Sequence, residues 1–127
     1  MAWEQPCYKP SGLVSSADLS AKQYYLVKIH TVAGQVAEST VLGEVVIGAL
    51  QNKPTSGQAA EVMQSGITPL VASAAISAGD KLMAAGTTGK VATATGSGKH
   101  IIGQALEAAS GDGVTFTGII NCGTGVV

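Results

Sequence analysis

Apolar and polar positions alternate along this chain in short runs, and glycines or turn-forming clusters close each run within a few residues. In "QYYLVKIHT" the two-residue period puts Tyr25, Val27 and Ile29 on one face and Lys28 and His30 on the other, which predicts a half-buried strand. "EVVIGAL" is apolar on both faces, the pattern of a central strand covered on both sides. "QAAEVMQ" has helical propensity, but Gly57 and Gly66 bound it so closely that a strand is predicted. "ITPLVAS" contains Pro69, which donates nothing to a ladder and therefore suits an edge.

The second half continues in the same way. Ala78-Gly79-Asp80 predicts a turn between two short strands in "AAISAGDKLMA", and Lys90 to Ala94 form a short β-prone run among turn-formers. "HIIGQALEAAS" joins a strand-like Ile101-Ile102-Gly103 to a helix-like Leu106 to Ala109, and most of it is assigned to strand. "GVTFTGIIN" alternates Val114, Phe116 and Ile120 against Thr115 and Thr117. One helical turn is expected in "ADLSAKQ", where Asp18 and Ser20 are available as caps. The sum is an all-β domain of about eight short strands, spaced as in a sandwich or barrel, with no exact repeat and no heptad run.

Residues 1 to 16 break the pattern, with Pro6, Pro10 and Gly12 punctuating a segment that has no period but carries Trp3 and Tyr8. Proline favours an extended path, so the domain organisation is an arm over 1–16 followed by a β-barrel domain over 17–127. At about 3.3 Å per residue the arm reaches roughly 50 Å, against a radius of gyration of about 14 Å for a domain of this size. A terminal segment of this kind either frays or docks on a neighbour. The placement of the sole tryptophan tips the balance to docking, through Trp3, Gln5, Pro6, Tyr8, Lys9 and Pro10.

Composition sharpens the picture. Only 12% of the 127 residues are charged, about half the usual share, and aromatics are 4%, so the core is built from Val, Ile, Leu and Ala. A surface so weakly hydrated fits a protein partly covered by other subunits. All seven basic residues are lysine, and the net charge is −1. Without arginine's bidentate fork, nucleic acid is not an expected partner. The start "MAWEQPCYKPSG" has no leader-like pattern, and "VVIGAL" is far too short to span a bilayer, so synthesis in a cytoplasm and no membrane partner are expected. Cys7 and Cys122, near opposite ends, are expected as reduced thiols rather than a framework, able to join later outside a cell.

Candidate chemistry is sparse. "AAGTTGKVATATGSGKH" suggests a phosphate cradle, but Gly89-Lys90 is followed by Val91 and Gly98-Lys99 by His100, so neither matches G-x-x-x-x-G-K-[ST]. Gly96 and Gly98 are followed by Ile101 where a dinucleotide pattern needs its third glycine. His30 and His100 are expected as solvated or hydrogen-bonded rings. Asp80 and Asp112 sit in Gly-Asp turns, where carboxylates bond nearby amides. His and Cys are too scattered for a zinc signature, and no D-x-D-x-D series suggests calcium. No catalytic residue, cofactor or metal is expected; a Cys-dependent hydrolase using Cys122 with His100 is the enzymatic alternative.

The order of the pieces carries a resemblance. Asp18, Leu19, Ser20, Gln23, Tyr24, Val27 and Lys28 come first, then Ile47, Gly48, Leu50, Asn52, Pro54 and Gly57. Gly66 and Ile67 follow, then Ala75, Ile76, Ala78, Gly79 and Leu82, and the closing run Ile101 to Ser110. Over roughly residues 17 to 121 this series resembles the decoration, or cement, proteins of tailed-phage capsids. The resemblance implies a small β-barrel or β-tulip, binding of the major capsid protein on the outside of the head within a virion, and assembly as homotrimers. Head-fibre or surface modules that bind host glycans, and small tail or baseplate subunits, are the alternatives, since such proteins share small β folds.

Overall fold

The computed structural model describes residue 9, residues 12–86 and residues 88–122, and within them the chain is all-β, with ten short strands and no helix. The first sheet holds β1 (Val14–Ser15), β2 (Leu26–Ile29), β3 (Gln35–Glu38), β4 (Gly48–Leu50) and β5 (Val62–Met63), in the order β1-β3-β2-β4-β5. Its edges curl toward each other. Val14 bridges Ala59, Ser15 N–H donates to the Gln58 carbonyl at 2.9 Å, and Ala60 N–H to that of Leu13 at 2.9 Å. Inside this curl Leu19, Val27, Val36, Leu50, Ala60 and Val62 form one core.

The second sheet holds β6 (Ser65–Val71), β7 (Lys81–Ala84), β8 (Val91–Thr93), β9 (Gly103–Ala105) and β10 (Thr115–Asn121), in the order β6-β10-β9-β7-β8. The backbone of the sheet is the antiparallel pair β6 and β10, in register from Thr115 opposite Val71 to Asn121 opposite Ser65. This sheet also bends back on itself: Ala72, just past β6, bridges Val91 in β8, and Ser73 N–H donates to the Val91 carbonyl at 2.9 Å. Leu70, Leu82, Val91, Ile102, Phe116 and Ile120 fill its interior.

The two sheets share apolar surface because β2 and β4 are covered on both faces. Successive side chains of a strand point to opposite sides; Leu26 and Ala49 therefore join the second core while their neighbours Val27 and Leu50 join the first. Gly89 makes the junction close. Leu26 N–H donates to the Gly89 carbonyl at 2.7 Å, and a Cβ at position 89 would run into the Leu26 backbone.

Several expectations hold. β4 is buried throughout, β5 lies in "QAAEVMQ", β8 in the Lys90–Ala94 run, and β6 with Pro69 is an edge strand of its sheet. β10 alternates as the sequence predicts, burying Phe116, Gly118 and Ile120.

Others are corrected. In β2, Leu26 and Val27 are both fully buried, whereas Ile29 is 58% exposed, because the second sheet covers the face assigned to solvent and the strand emerges from the core at its end. "ADLSAKQ" is not helical: Leu19 N–H is drawn to the Pro54 carbonyl, and Lys22 and Tyr25 N–H groups close successive turns on Leu19 and Lys22. Of "HIIGQALEAAS" only Gly103–Ala105 is strand, and before the turn at Gly79 there is a single bridge, Ile76 to Ala109. β1 and β3 lie in stretches without a readable period.

Candidate interaction surface

The loop from Ser39 to Ile47, between β3 and β4, presents apolar side chains to solvent: Val41 is 56% exposed, Leu42 47% and Val45 64%. It is nevertheless tightly held. Glu44 Oε2 accepts hydrogen bonds from Thr40 N–H at 2.7 Å, Val41 N–H at 2.6 Å and the Ser39 hydroxyl at 3.0 Å. Its other oxygen lies 3.4 Å from Lys28 Nζ, which also donates to Thr40 Oγ1 at 3.2 Å. Burial alone would raise the Glu44 pKa, but the amides of Val41 and Thr40, the Ser39 hydroxyl and the Lys28 charge outweigh it and hold it below its ordinary value.

The loop is also stitched to the second sheet. Gly43 N–H donates to the Ala84 carbonyl at 2.9 Å, and His100 N–H to the Gly43 carbonyl at 3.0 Å. A loop backbone fixed in this way loses little entropy on contact, which suits a binding surface. A second feature lies around Tyr25: Lys22 Nζ sits 4.8 Å from its ring centroid and 3.0 Å from Glu38 Oε2.

Of the six arm residues expected to dock, only Lys9 is described, and its Nζ lies 2.7 Å from Glu61 Oε1 in an exposed ion pair. Trp3, Gln5, Pro6, Tyr8 and Pro10, like Cys7, lie outside the described residues. The loop from Ser39 to Ile47 was not singled out from sequence. A Ser-Thr pair followed by Glu44 was its signal, a side-chain cap without a helix.

The histidines, the cysteine and the aspartates weighed for catalysis differ in their surroundings. His30 Nδ1 accepts from Val32 N–H at 3.1 Å. His100, expected as a solvated or bonded ring, is 3% exposed, and its Nδ1 has no partner among the described residues, because the loop folds over it through Gly43. Cys122 is a free, buried thiol whose pKa burial pushes up to about 12, so it is protonated and a poor nucleophile at neutral pH. Asp80 accepts from Ser77 N–H at 3.0 Å as its turn predicts, but Asp112 instead pairs with Lys90 Nζ at 2.9 Å. That ion pair holds the first lysine of the glycine-lysine segment, and the stem of the second, Lys99, lies against Gly43. Among the described residues no three His, Cys, Asp or Glu side chains gather as a metal site, and no helix is long and apolar enough to cross a membrane.

No curated protein matches the chain. Among the solved structures that share its fold are two at 16% identity. The N base of the head fibre gp8.5 of bacteriophage phi29 superposes with a TM-score of 0.64 over 94% of this chain and 96% of that one. A chain in the capsid of Myoviridae phage XM1 does so with a TM-score of 0.63, over 91% of this chain and 84% of the other. The model of the phage cement protein family matches residues 14–120, from β1 into β10. The order of turn and strand motifs, the two curled sheets and that match lead to one assignment: the chain belongs to the phage cement protein family.

Proposed function

We propose that this protein binds the major capsid protein on the outer surface of a tailed-phage head and stabilises the shell by bridging capsomers, without catalysing a reaction. The observation that carries this reading is the family match, which spans both sheets and their shared core. A protein that binds the assembled shell and not its separated parts raises the cost of separation by its own binding energy. The pinned loop with Val41, Leu42 and Val45 supplies apolar contact at little entropic cost.

In this reading the protein acts as a homotrimer on the head, made in the host cytoplasm and carried in the virion. Three copies of a weak contact suffice, because after the first is made the others become intramolecular. The arm over residues 1–16 straps each copy to a neighbour through Trp3, Gln5, Pro6, Tyr8, Lys9 and Pro10, while Val14 and Ser15 keep its base in the first sheet.

The test mixes purified protein with expanded heads that lack it. Co-sedimentation and greater resistance of the heads to heat are expected; heads that pellet without it, and melt no later in its presence, overturn the proposal. The likeness to a head-fibre base supports a second reading, a pedestal for a projecting structure. An electron-microscopic map with further density rising from this chain would favour it.

A further inference from the structure

Tyr24 stands apart in the backbone. Among the described residues it is the only one other than glycine with a positive φ, at 70°, while eleven glycines occupy the other such positions. A Cβ is disfavoured there, and asparagine or glycine would relieve the strain. The conformation is nevertheless fixed. Tyr24 N–H donates to the Leu50 carbonyl at 2.6 Å, Leu50 N–H to that of Tyr25 at 2.9 Å, and Gln23 Nε2 to that of Gln51 at 3.0 Å.

These hydrogen bonds hold the backbone shape at position 24, and the half-buried ring keeps part of its surface in solvent. Phe116 is in the core, so Tyr24 and Tyr25 are the described aromatics left near the surface. The nearby charges cancel within the chain, Lys22 on Glu38. A chain of contacts also links Tyr24 to the base of the arm: Gln23 to Gln51, Gln51 N–H to the Glu61 carbonyl, and Glu61 to Lys9.

We infer that Tyr24 is a preorganised anchor for the major capsid protein, inserted into an uncharged slot of the shell on the flank from which the arm departs. This rests on the cement reading. Backbone strain of this kind collects at sites where a side chain serves something besides the fold. An amphipathic ring with few rotatable bonds, already aimed, is the common form of such an anchor.

The experiment compares wild type, Tyr24→Asn and Tyr24→Phe for binding to expanded heads, with melting temperatures measured alongside. Tyr24→Asn should melt no lower than wild type and bind at least about tenfold more weakly, while Tyr24→Phe keeps most of the affinity. A photo-cross-linking amino acid at position 24 should capture the major capsid protein. If wild type itself does not bind heads, the cement reading falls and this inference with it. If wild type binds and Tyr24→Asn binds equally, or melts lower in proportion to its loss, the ring is packing and the inference alone is overturned. A cross-link only to a second copy of this chain, or to host glycan, overturns it as well.

Discussion

Replacing Glu44 tests whether the apolar loop is held by one carboxylate. In the native protein a single oxygen, Oε2, receives three hydrogen bonds, and the Glu44 side chain is 16% exposed beside Lys28. Hydrogen bonds to a charged acceptor contribute about 1.5–3 kcal/mol each when fully buried, but here partial desolvation of the carboxylate and residual water access reduce the sum. Glu44→Ala should cost about 2 kcal/mol, and Glu44→Gln, which keeps an acceptor but loses the charge, about 1 kcal/mol. For a domain of this size those losses lower the melting temperature by about 7 °C and about 3 °C.

The pH dependence supplies the sharper criterion. The folded-state pKa of Glu44 lies below its ordinary value of 4.5, so its contribution is fully present above 4.5 and is lost as pH falls through the lowered value. Calorimetry of wild type and Glu44→Gln at neutral pH and near pH 3 should find the gap closing on acidification, as the protonated acid comes to resemble the amide. An equal gap at both pH values, or none at neutrality, refutes the reasoning.

Four further outcomes are expected. Val41→Ser with Val45→Ser should leave the melting temperature within about 2 °C, since both side chains are largely exposed, but should weaken binding to heads; unchanged co-sedimentation would remove the loop from the interface. Gly103→Ala should fail to fold or melt far lower, because its Cβ would meet the Ile119 carbonyl and the Ile120 backbone; circular dichroism decides. Cys122 should resist alkylation at pH 8 in the native protein and react in urea, read by mass spectrometry of its peptide, because burial keeps the thiol protonated. Removing residues 1–8 should reduce head occupancy without a lower melting temperature, and unchanged occupancy would dispose of the strap.

How much of this was legible beforehand varies by element. β10 was readable because it is a long period-two run, and β6 because Pro69 marks a short apolar stretch as an edge. β1 and β3 were not: Val14–Ser15 is ordered by partners distant in sequence, Gly34 and Gln58 among them, and Gln35–Glu38 by the ladders to β2 and β1 rather than by a period of its own. The surface was less readable still. Val45 and Val46 are identical as letters, yet one is 64% exposed and the other 1%.

By itself the sequence determined an all-β chain with its turns, its aliphatic core and its charge-poor surface, because those depend on side-chain period, glycine spacing and composition, which are local. Only the tertiary structure decided that each sheet curls into its own core, that Glu44 knots an apolar loop at the surface, and that Tyr24 takes a glycine's conformation. The curled sheets and the Tyr24 backbone depend on hydrogen bonds and packing between residues far apart along the chain, whose benefit exists only once the fold has brought them together. The bonds of Glu44 to Ser39, Thr40 and Val41 are local, but Lys28 and the bonds of Gly43 to Ala84 and His100, which set that loop in place, are not.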